Sequence, residues 1–396
     1  MRKLILVFVI GFVLPASIFE GGQSAVFAAE EIAFCYITAL SGPAAPWGIP
    51  SARGLRLGAE EVNENGEFKV KGKTYKWKII DYDHKYTPAE AVKAANRAIY
   101  SDRAKYLSIM GGSPTLACIP LMKENKILSL NVAGGGKAVT NPDNPLVFRY
   151  IASVHAVYAS IYPYLMKNEG IKTSACINPD DATGQSGYAA SRMMADASNV
   201  KIIVKEYFER GSKDFTAMLT RVLAKKPDMI DTCYTDSTSS ALICKQAREL
   251  GYEGVILLAW GPDPEQVLKI AGPHAEKAYM ALGPLEPKTP HQKQVYERFV
   301  AKWGAGEWDR NVWFQYDLIP CLTKAIVETQ SFDPHILARH LEAMTWEGVM
   351  GKAYFGGSKL FGIKRQYMVP LSLYQFQNGK PVYLQDLPIQ PGILDE

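Results

Sequence analysis

Hydrophobic and polar positions follow two distinct periods along the first third of the chain. Short apolar runs have the length of buried strands, and the segments between them space small and apolar residues three and four positions apart, as in a helix. The predicted strands cover residues 32–38, 76–81, 106–110 and 127–131, and the predicted helices cover residues 51–63, 87–102 and 116–124. Thr87, Pro88 and Glu90 mark one helix start, because Thr caps, Pro fits the first turn and Glu completes a capping box. This alternation predicts a parallel sheet with helices on both faces.

The same alternation starts again near residue 174. The predicted strands there cover residues 174–178, 201–208, 229–234, 255–259 and 279–282, with helices at 184–197, 213–224 and 239–250. Further helices at 290–302, 311–328 and 333–344 precede a strand at 367–377, and the dipeptide Asn378-Gly379 is a strong hairpin-turn signal. We therefore predict two similar α/β lobes placed end to end.

The loops after the strands are where we expect function. An open parallel sheet binds its ligand beyond the carboxyl ends of its strands, so two facing lobes would form a cleft there. These loops cover residues 40–48, 111–115, 132–136, 179–184, 235–239 and 260–263.

The N-terminus has the pattern of a secretory signal peptide. Arg2 and Lys3 precede an apolar run over residues 4–14, and small residues before position 29 fit cleavage after Ala28. The run is shorter than the ~20 residues that a membrane-spanning helix needs. We therefore expect residues 1–28 to be removed and the mature protein to be soluble and outside the cytoplasm.

Charge and cysteine content exclude several classes of partner. The 396 residues carry a formal charge of +4, without a run of like charges or a basic stripe, so we expect no nucleic acid partner. Six cysteines are widely scattered and form no C-x-x-C pair, which argues against zinc and redox motifs. We expect buried free thiols, and disulfides in an oxidising compartment are the alternative.

Catalytic motifs are incomplete wherever they occur. Residues 184–188 lack one Gly of the G-x-S-x-G elbow, and residues 134–137 lack the Ser/Thr and the first Gly of a phosphate loop. The six histidines have no metal-ligand spacing. We therefore expect no enzymatic activity, no cofactor and no metal.

Several loops and helices are similar to one protein family, in the same order along the chain. The segments that carry the similarity are Thr38 to Pro43, Trp47-Gly48, Arg53-Gly54, Gly58 to Asn63, Asp81-Tyr82-Asp83, Thr87 to Ala91, Gly111 to Thr115, Phe148-Arg149, Gln246 to Tyr252 and Tyr316-Asp317. On these segments the chain resembles the type I periplasmic binding proteins of ABC importers, specifically the leucine/isoleucine/valine-binding family. The resemblance implies two Rossmann-like lobes with parallel sheets, joined by a three-strand hinge. It assigns residues 30–150 plus 284–350 to the N-terminal lobe and residues 151–283 plus 351–396 to the C-terminal lobe.

The resemblance also implies where the first lobe holds its ligand. In the family, a carboxylate binds to backbone N–H groups and hydroxyls at helix N-termini, where the helix dipole favours negative charge. Two Trp residues in cleft loops and one Tyr at the first crossing are expected to face the ligand. These expected ligand-binding residues are Trp47, Gly112, Ser113, Thr115, Ala133, Gly134, Gly135, Tyr150 and Trp260. The alternatives are helix capping by Ser113 or Thr115 and packing roles for the aromatic residues.

The second lobe departs from the pattern of the amino-acid binders. Ser239 stands where a carboxylate that binds the ligand amine is expected, and Thr183 stands where the family usually has an aromatic residue. Asp236 or Asp181 would replace that carboxylate, although Asp181 could equally cap a helix. The ligand is therefore expected to be an amino acid, or an aromatic or aliphatic acid without an α-amine.

These observations lead to one hypothesis and one alternative. The hypothesis is a periplasmic, monomeric solute-binding protein that closes on a small carboxylate-bearing ligand and delivers it to an ABC permease in the inner membrane. The alternative is a ligand-sensing receptor of a signalling system on the same fold, since no sequence feature marks the partner surface.

Overall fold

The computed structural model describes residues 29–259 and 262–389, without the side chains of residues 154 and 156–158. Its strands are β1 (Glu30–Thr38), β2 (Phe68–Val70), β3 (Lys73–Asp83), β4 (Tyr106–Ile109), β5 (Leu128–Asn131), β6 (Val147–Arg149), β7 (Thr173–Pro179), β8 (Lys201–Phe208), β9 (Met229–Asp231), β10 (Val255–Leu257), β11 (Tyr279–Leu282), β12 (Thr345–Gly348), β13 (Gly351–Gly356), β14 (Gln366–Met368), β15 (Leu371–Gln377) and β16 (Lys380–Leu387). Its helices are α1 (Ala45–Glu64), α2 (Pro88–Asn96), α3 (Gly112–Glu124), α4 (Gly136–Val139), α5 (Val154–Glu169), α6 (Ala182–Ala197), α7 (Thr216–Leu223), α8 (Ser237–Glu249), α9 (Pro264–Ala271), α10 (Pro290–Trp303), α11 (Asn311–Tyr316), α12 (Leu318–Thr329), α13 (Pro334–Ala343) and α14 (Ser358–Phe361). Among these described helices, none is both long and apolar enough to cross a membrane.

The first sheet has the strand order β12-β13-β14-β6-β5-β4-β1-β3-β2 within the described residues. Its centre is parallel, and β2, β12 and β13 add antiparallel strands at the two edges. The chain passes from β1 to β3 on one side and then places β4 on the other side, so the winding reverses between β1 and β4. A ligand crevice in an open α/β sheet lies beyond the strand ends at such a reversal.

The second sheet has the order β16-β15-β11-β10-β9-β7-β8 in the described part of the chain. Its winding reverses between β7 and β9, and β15 and β16 form an antiparallel hairpin at one edge. Asn378 and Gly379 turn that hairpin with φ angles of 52° and 73°, as the turn signal predicted.

Side-chain caps fix the starts of the helices that point at the cleft. Asp181 accepts a hydrogen bond from Gly184 N at the start of α6, and Asp236 accepts one from Ser239 N at the start of α8, both over 2.9 Å. Thr87 caps α2 as predicted, accepting from Glu90 N over 3.4 Å. Each such cap stabilises its helix by about 1 kcal/mol.

The chain crosses between the sheets three times, and the third crossing corrects the predicted lobe boundary. Residues 351–396 were expected to belong to the C-terminal lobe, but β13 and β14 belong to the first sheet. The single strand predicted over residues 367–377 is divided at Pro370, which lacks the N–H that an uninterrupted ladder needs. The crossing therefore lies at residues 369–370, and only the segment after it joins the second sheet.

Aromatic side chains hold the first crossing against the third. Tyr150 stacks on Tyr367 with ring centroids 4.3 Å apart and planes 12° apart, and both side chains are fully buried. Phe355 and Trp346 extend this cluster on the neighbouring antiparallel strands. Each buried ring contributes about 1.5–3 kcal/mol through burial, so the hinge is packed into the core of the first lobe.

All six cysteines are buried and free, which confirms the expectation of buried thiols and not the alternative of disulfides. Burial raises the pKa of Cys118 to about 12, and the pKa of Cys244 is raised to the same value by the same cause. A thiol with so high a pKa is protonated at neutral pH and unreactive.

Candidate functional site

The carboxyl ends of the two sheets meet in the described structure, and the lobes touch there. Gly112 N–H, at the start of α3, donates a hydrogen bond to Thr183 Oγ1 in the first turn of α6 over 3.1 Å. The Tyr86 hydroxyl lies 3.1 Å from the same oxygen, and Ala182 N–H donates to Ser113 Oγ over 3.4 Å. Since each bond joins one lobe to the other, the structure is in a closed arrangement.

A cavity lies beside these contacts. Its volume is about 50 Å³. A single water needs ~10–15 Å³ of such a cavity, so it holds several waters or a compact organic group. The residues that line it are Trp47, Ser51, Tyr86, Met110, Gly111, Val132, Gly134, Ile151, Thr183, Tyr234, Asn311, Phe314 and Gln315. Because the lining comes from both lobes and the hinge, the cavity exists only when the lobes are closed.

Two glycines allow the walls to approach so closely. Gly111 has φ of +94°, and a Cβ there would lie 2.7 Å from the Tyr86 ring. Gly134 faces the second lobe, and a Cβ there would lie 2.7 Å from Thr183 Cα. Side chains at either position would keep Tyr86 or Thr183 out of its place.

Helix α11 contributes polar groups that the sequence patterns did not identify. The Gln315 side chain is fully buried, and its Nε2 donates to Tyr150 O over 3.3 Å. Gln315 Oε1 and Asn311 Nδ2 are buried without a protein partner in this structure. One acceptor and one donor at a cavity wall provide two directed bonds for a polar ligand. The one signal in the sequence was two amides in an otherwise apolar helix.

Tyr234 was also missed, because a continuous strand was predicted over residues 229–234. The strand β9 ends at Asp231, and Tyr234 adopts a φ of +59° at the cavity wall. A bulky residue in the left-handed region costs roughly 1–3 kcal/mol, and such strain concentrates at ligand clamps. The strain here turns an aromatic side chain from the end of a strand toward the cleft.

A charged cluster closes the cleft on the side of the second lobe. Arg210, in the loop after β8, donates from Nε to Asp181 Oδ2 over 2.8 Å and from Nη1 to Asp236 Oδ2 over 3.2 Å. Its guanidinium carbon lies 5.5 Å from the centre of the Trp47 ring and 4.9 Å from that of Tyr86. Burial by itself lowers the pKa of Arg210, but Tyr86 and the two carboxylates outweigh it and raise that pKa. Arg210 is therefore a permanent cation between two carboxylates of one lobe and two aromatic faces of the other.

The described residues among those predicted from the sequence fall into three groups. Three of them line the cavity, namely Trp47, Gly134 and Thr183. Four others make contacts at its edge, namely Gly112 and Ser113 with the second lobe, and Asp181 and Asp236 with Arg210. Trp260 lies outside the described residues.

The remaining four predicted residues lie behind the cavity wall. Thr115 is inside α3, which starts four residues earlier than predicted, and its hydroxyl donates to Gly111 O over 2.7 Å. Ala133 is fully buried and its carbonyl accepts from Arg149 Nε over 3.0 Å. Gly135 is left-handed at the start of α4, and Tyr150 is packed on Tyr367. The packing alternative is therefore supported for Tyr150, whereas the Thr115 hydroxyl bonds within its helix and does not cap it.

Comparison with known proteins assigns the family. A family model described as periplasmic binding protein matches residues 31–380. The Leu/Ile/Val-binding protein of Escherichia coli K12 is 24% identical over 329 residues, covering 82% of this chain and 86% of that protein.

Solved structures agree with the described fold. A branched-chain amino acid transporter substrate binding protein of Streptococcus pneumoniae, solved with isoleucine, has a TM-score of 0.73 at 17% identity and covers 90% of this chain and 100% of its own. An ABC transporter solute binding protein of R. palustris, solved with 4-hydroxybenzoate, has a TM-score of 0.75 at 19% identity and covers 91% and 98%. The two-lobed α/β fold predicted from the sequence is thereby confirmed. The chain belongs to the type I periplasmic binding protein family, whose members are solute-binding proteins and not enzymes.

Proposed function

We propose that this protein is the extracytoplasmic solute-binding component of an ABC importer, and that it closes on a small carboxylate-bearing ligand. The observation that carries the proposal is the cavity whose lining comes from both lobes and the hinge. A ligand that touches both lobes only in the closed form shifts the population toward closure by its differential affinity. A permease can then distinguish the loaded protein by its closed surface.

The chemistry of the cavity supports a ligand with one polar end and an apolar body. Trp47, Val132, Ile151 and Phe314 supply apolar wall, and the amides of α11 supply directed hydrogen bonds. Gly111, which precedes the first residue of α3, lines the same cavity, and the partial positive charge of this helix N-terminus favours a carboxylate. The two relatives solved with isoleucine and with 4-hydroxybenzoate also bind ligands that carry a carboxylate.

Secretion and delivery complete the proposal. The signal pattern of residues 1–28 supports export to the periplasm, where a monomer would meet the permease in the inner membrane. Masses of the secreted protein should show an N-terminus near residue 29, and an intact Met1 would contradict export by cleavage.

A thermal-shift screen of the mature protein tests the ligand class. The panel contains branched-chain and polar amino acids, amides, benzoates, phenylpropanoids and short fatty acids. A ligand at a hundred times its Kd stabilises the folded protein by about 2.7 kcal/mol, which is readily measured. Uptake of the best ligand should then be lost in a strain that lacks the gene. A stabilising ligand whose uptake is unchanged would overturn the importer role.

A further inference from the structure

All four oxygens of the Asp181 and Asp236 carboxylates already accept a hydrogen bond within the second lobe. Asp181 Oδ1 accepts from Gly184 N and its Oδ2 accepts from Arg210 Nε. Asp236 Oδ1 accepts from Ser239 N and its Oδ2 accepts from Arg210 Nη1. The three side chains are 8–18% exposed, so these bonds are shielded from water.

The net charge of the cluster formed by Arg210, Asp181 and Asp236 is also close to zero once the helix N-termini are included. Arg210 neutralises one of the two carboxylates. Asp181 caps α6 and Asp236 caps α8, and the two helix N-termini, with roughly half a positive charge each, offset the remaining negative charge. An ammonium group entering the cleft would therefore find little negative charge to pair with.

The first lobe completes a site with the chemistry of cation recognition. Aromatic faces combined with carboxylates attract organic cations, and Trp47 and Tyr86 present such faces to Arg210. Both rings also line the cavity, so Arg210 lies directly behind the ligand space. The protein thus already fills its own cation site.

We propose that Arg210 is a built-in cation that takes the place of a ligand ammonium, so that the cleft accepts carboxylates without an amino group and rejects amino acids. This inference rests on the proposed function and narrows its ligand class. Arg210 Nη2 is buried without an acceptor in the protein, so the unsatisfied group of the cluster is a hydrogen-bond donor, which an ammonium cannot accept. Asp181 and Asp236 then act as positioning residues for Arg210.

The first test compares matched pairs of ligands that differ by the amine alone. Calorimetry would measure 4-methylpentanoate against L-leucine and 3-phenylpropanoate against L-phenylalanine. We expect the wild-type protein to bind the acid of at least one pair tenfold or more tightly than its amino acid. Equal or tighter binding of the amino acid would overturn the proposal.

The second test creates the cation site by removing Arg210. In Arg210→Ala, the freed carboxylates and aromatic faces should bind methylguanidinium, which would raise the melting temperature of this variant and not that of the wild type. Arg221→Ala is the matched control, because Arg221 is 61% exposed in the same lobe and pairs only with Glu206 among the described residues. Arg210→Gln keeps an N–H donor for one carboxylate and replaces Arg210→Ala if that variant does not fold. Absence of methylguanidinium binding to the folded variant would refute the cation site.

The two tests separate this inference from the proposed function. If no acid or amino acid of either pair binds to the wild type while Arg210→Ala binds methylguanidinium, the proposed carboxylate ligand is overturned and the cation role of Arg210 is upheld. If the amino acids bind and Arg210→Ala gains no cation, the binding function is upheld and the role of Arg210 is overturned.

Discussion

A methyl group added at Gly134 should separate ligand binding from folding. Gly134 lies on the first lobe, and a Cβ there would be 2.7 Å from Thr183 Cα, 2.9 Å from Cγ2 and 3.0 Å from Cβ across the cleft. Nonbonded carbons normally sit ~3.5–4.0 Å apart, so Gly134→Ala forces the lobes apart by about 1 Å. Gly134 is absent from the positive-φ glycines, so the substitution adds no backbone strain.

The expected magnitude follows from overpacking in the closed form alone. Such overpacking costs about 1–3 kcal/mol, and each 1.4 kcal/mol is a tenfold change in affinity. Gly134→Ala should therefore weaken ligand binding by roughly 5- to 150-fold. The open form has no such contact, so the melting temperature without ligand should stay unchanged or rise slightly, as Ala restricts the unfolded chain.

Calorimetry with the best ligand of the screen measures the affinity, and small-angle scattering with saturating ligand measures closure. Gly306→Ala is the matched control, because a Cβ there meets nothing within 4 Å and Gly306 has no positive φ. Wild-type affinity and full closure in Gly134→Ala would refute the assignment of this contact to the closed, ligand-bound form.

Three further predictions address the cleft, a buried carboxyl and the thiols. Thr183→Val removes the acceptor of Gly112 N–H and the partner of the Tyr86 hydroxyl, so calorimetry should show affinity lowered by about 1–3 kcal/mol, and an unchanged Kd would contradict this. Burial raises the pKa of Asp317 from 3.8 to about 7, although Val349 N–H donates a hydrogen bond to its carboxylate. Between these two pH values the carboxyl is protonated in the folded chain and ionised in the unfolded chain. As the pH rises from roughly 4 to 7, the free energy of unfolding should therefore fall by up to about 1.4 kcal/mol per pH unit. Urea unfolding at pH 5 and pH 8 should show that Asp317→Asn loses this slope, and an identical slope would refute it. A thiol reagent should modify none of the six buried cysteines in the folded protein and all of them in urea, and rapid labelling of the native protein would contradict their burial.

The sequence predicted the cleft because topology alone decides which loops meet there. Once strands and helices alternate, the loops after β1, β5 and β7 must lie at the carboxyl ends of the sheets, and Trp47, Gly134 and Thr183 were found at the cavity for this reason. The finer roles depended on where each helix begins. Thr115 was expected at a turn, but α3 starts at Gly112, so the hydroxyl bonds within the helix instead.

The missed residues depend on contacts between distant parts of the chain. Arg210 follows β8 without a motif, and its role comes from two acids that other strands bring beside it and from the aromatic rings of the opposite lobe. Gln315 reaches the cavity only because the chain returns to the first lobe after residue 283. By contrast, the break at Pro370 was readable in advance, since Pro lacks the N–H that a strand paired on both sides must donate.

The three crossings also determine when the first lobe can finish folding during synthesis. β6 pairs with β5 on one side, and its neighbour on the other side is β14, which leaves the ribosome roughly 200 residues later. At ~5–20 residues per second this leaves the β6 edge unpaired for about 10–40 s. The first lobe therefore cannot complete its sheet until almost the whole chain has been made, and the nascent protein stays incompletely folded for most of its synthesis.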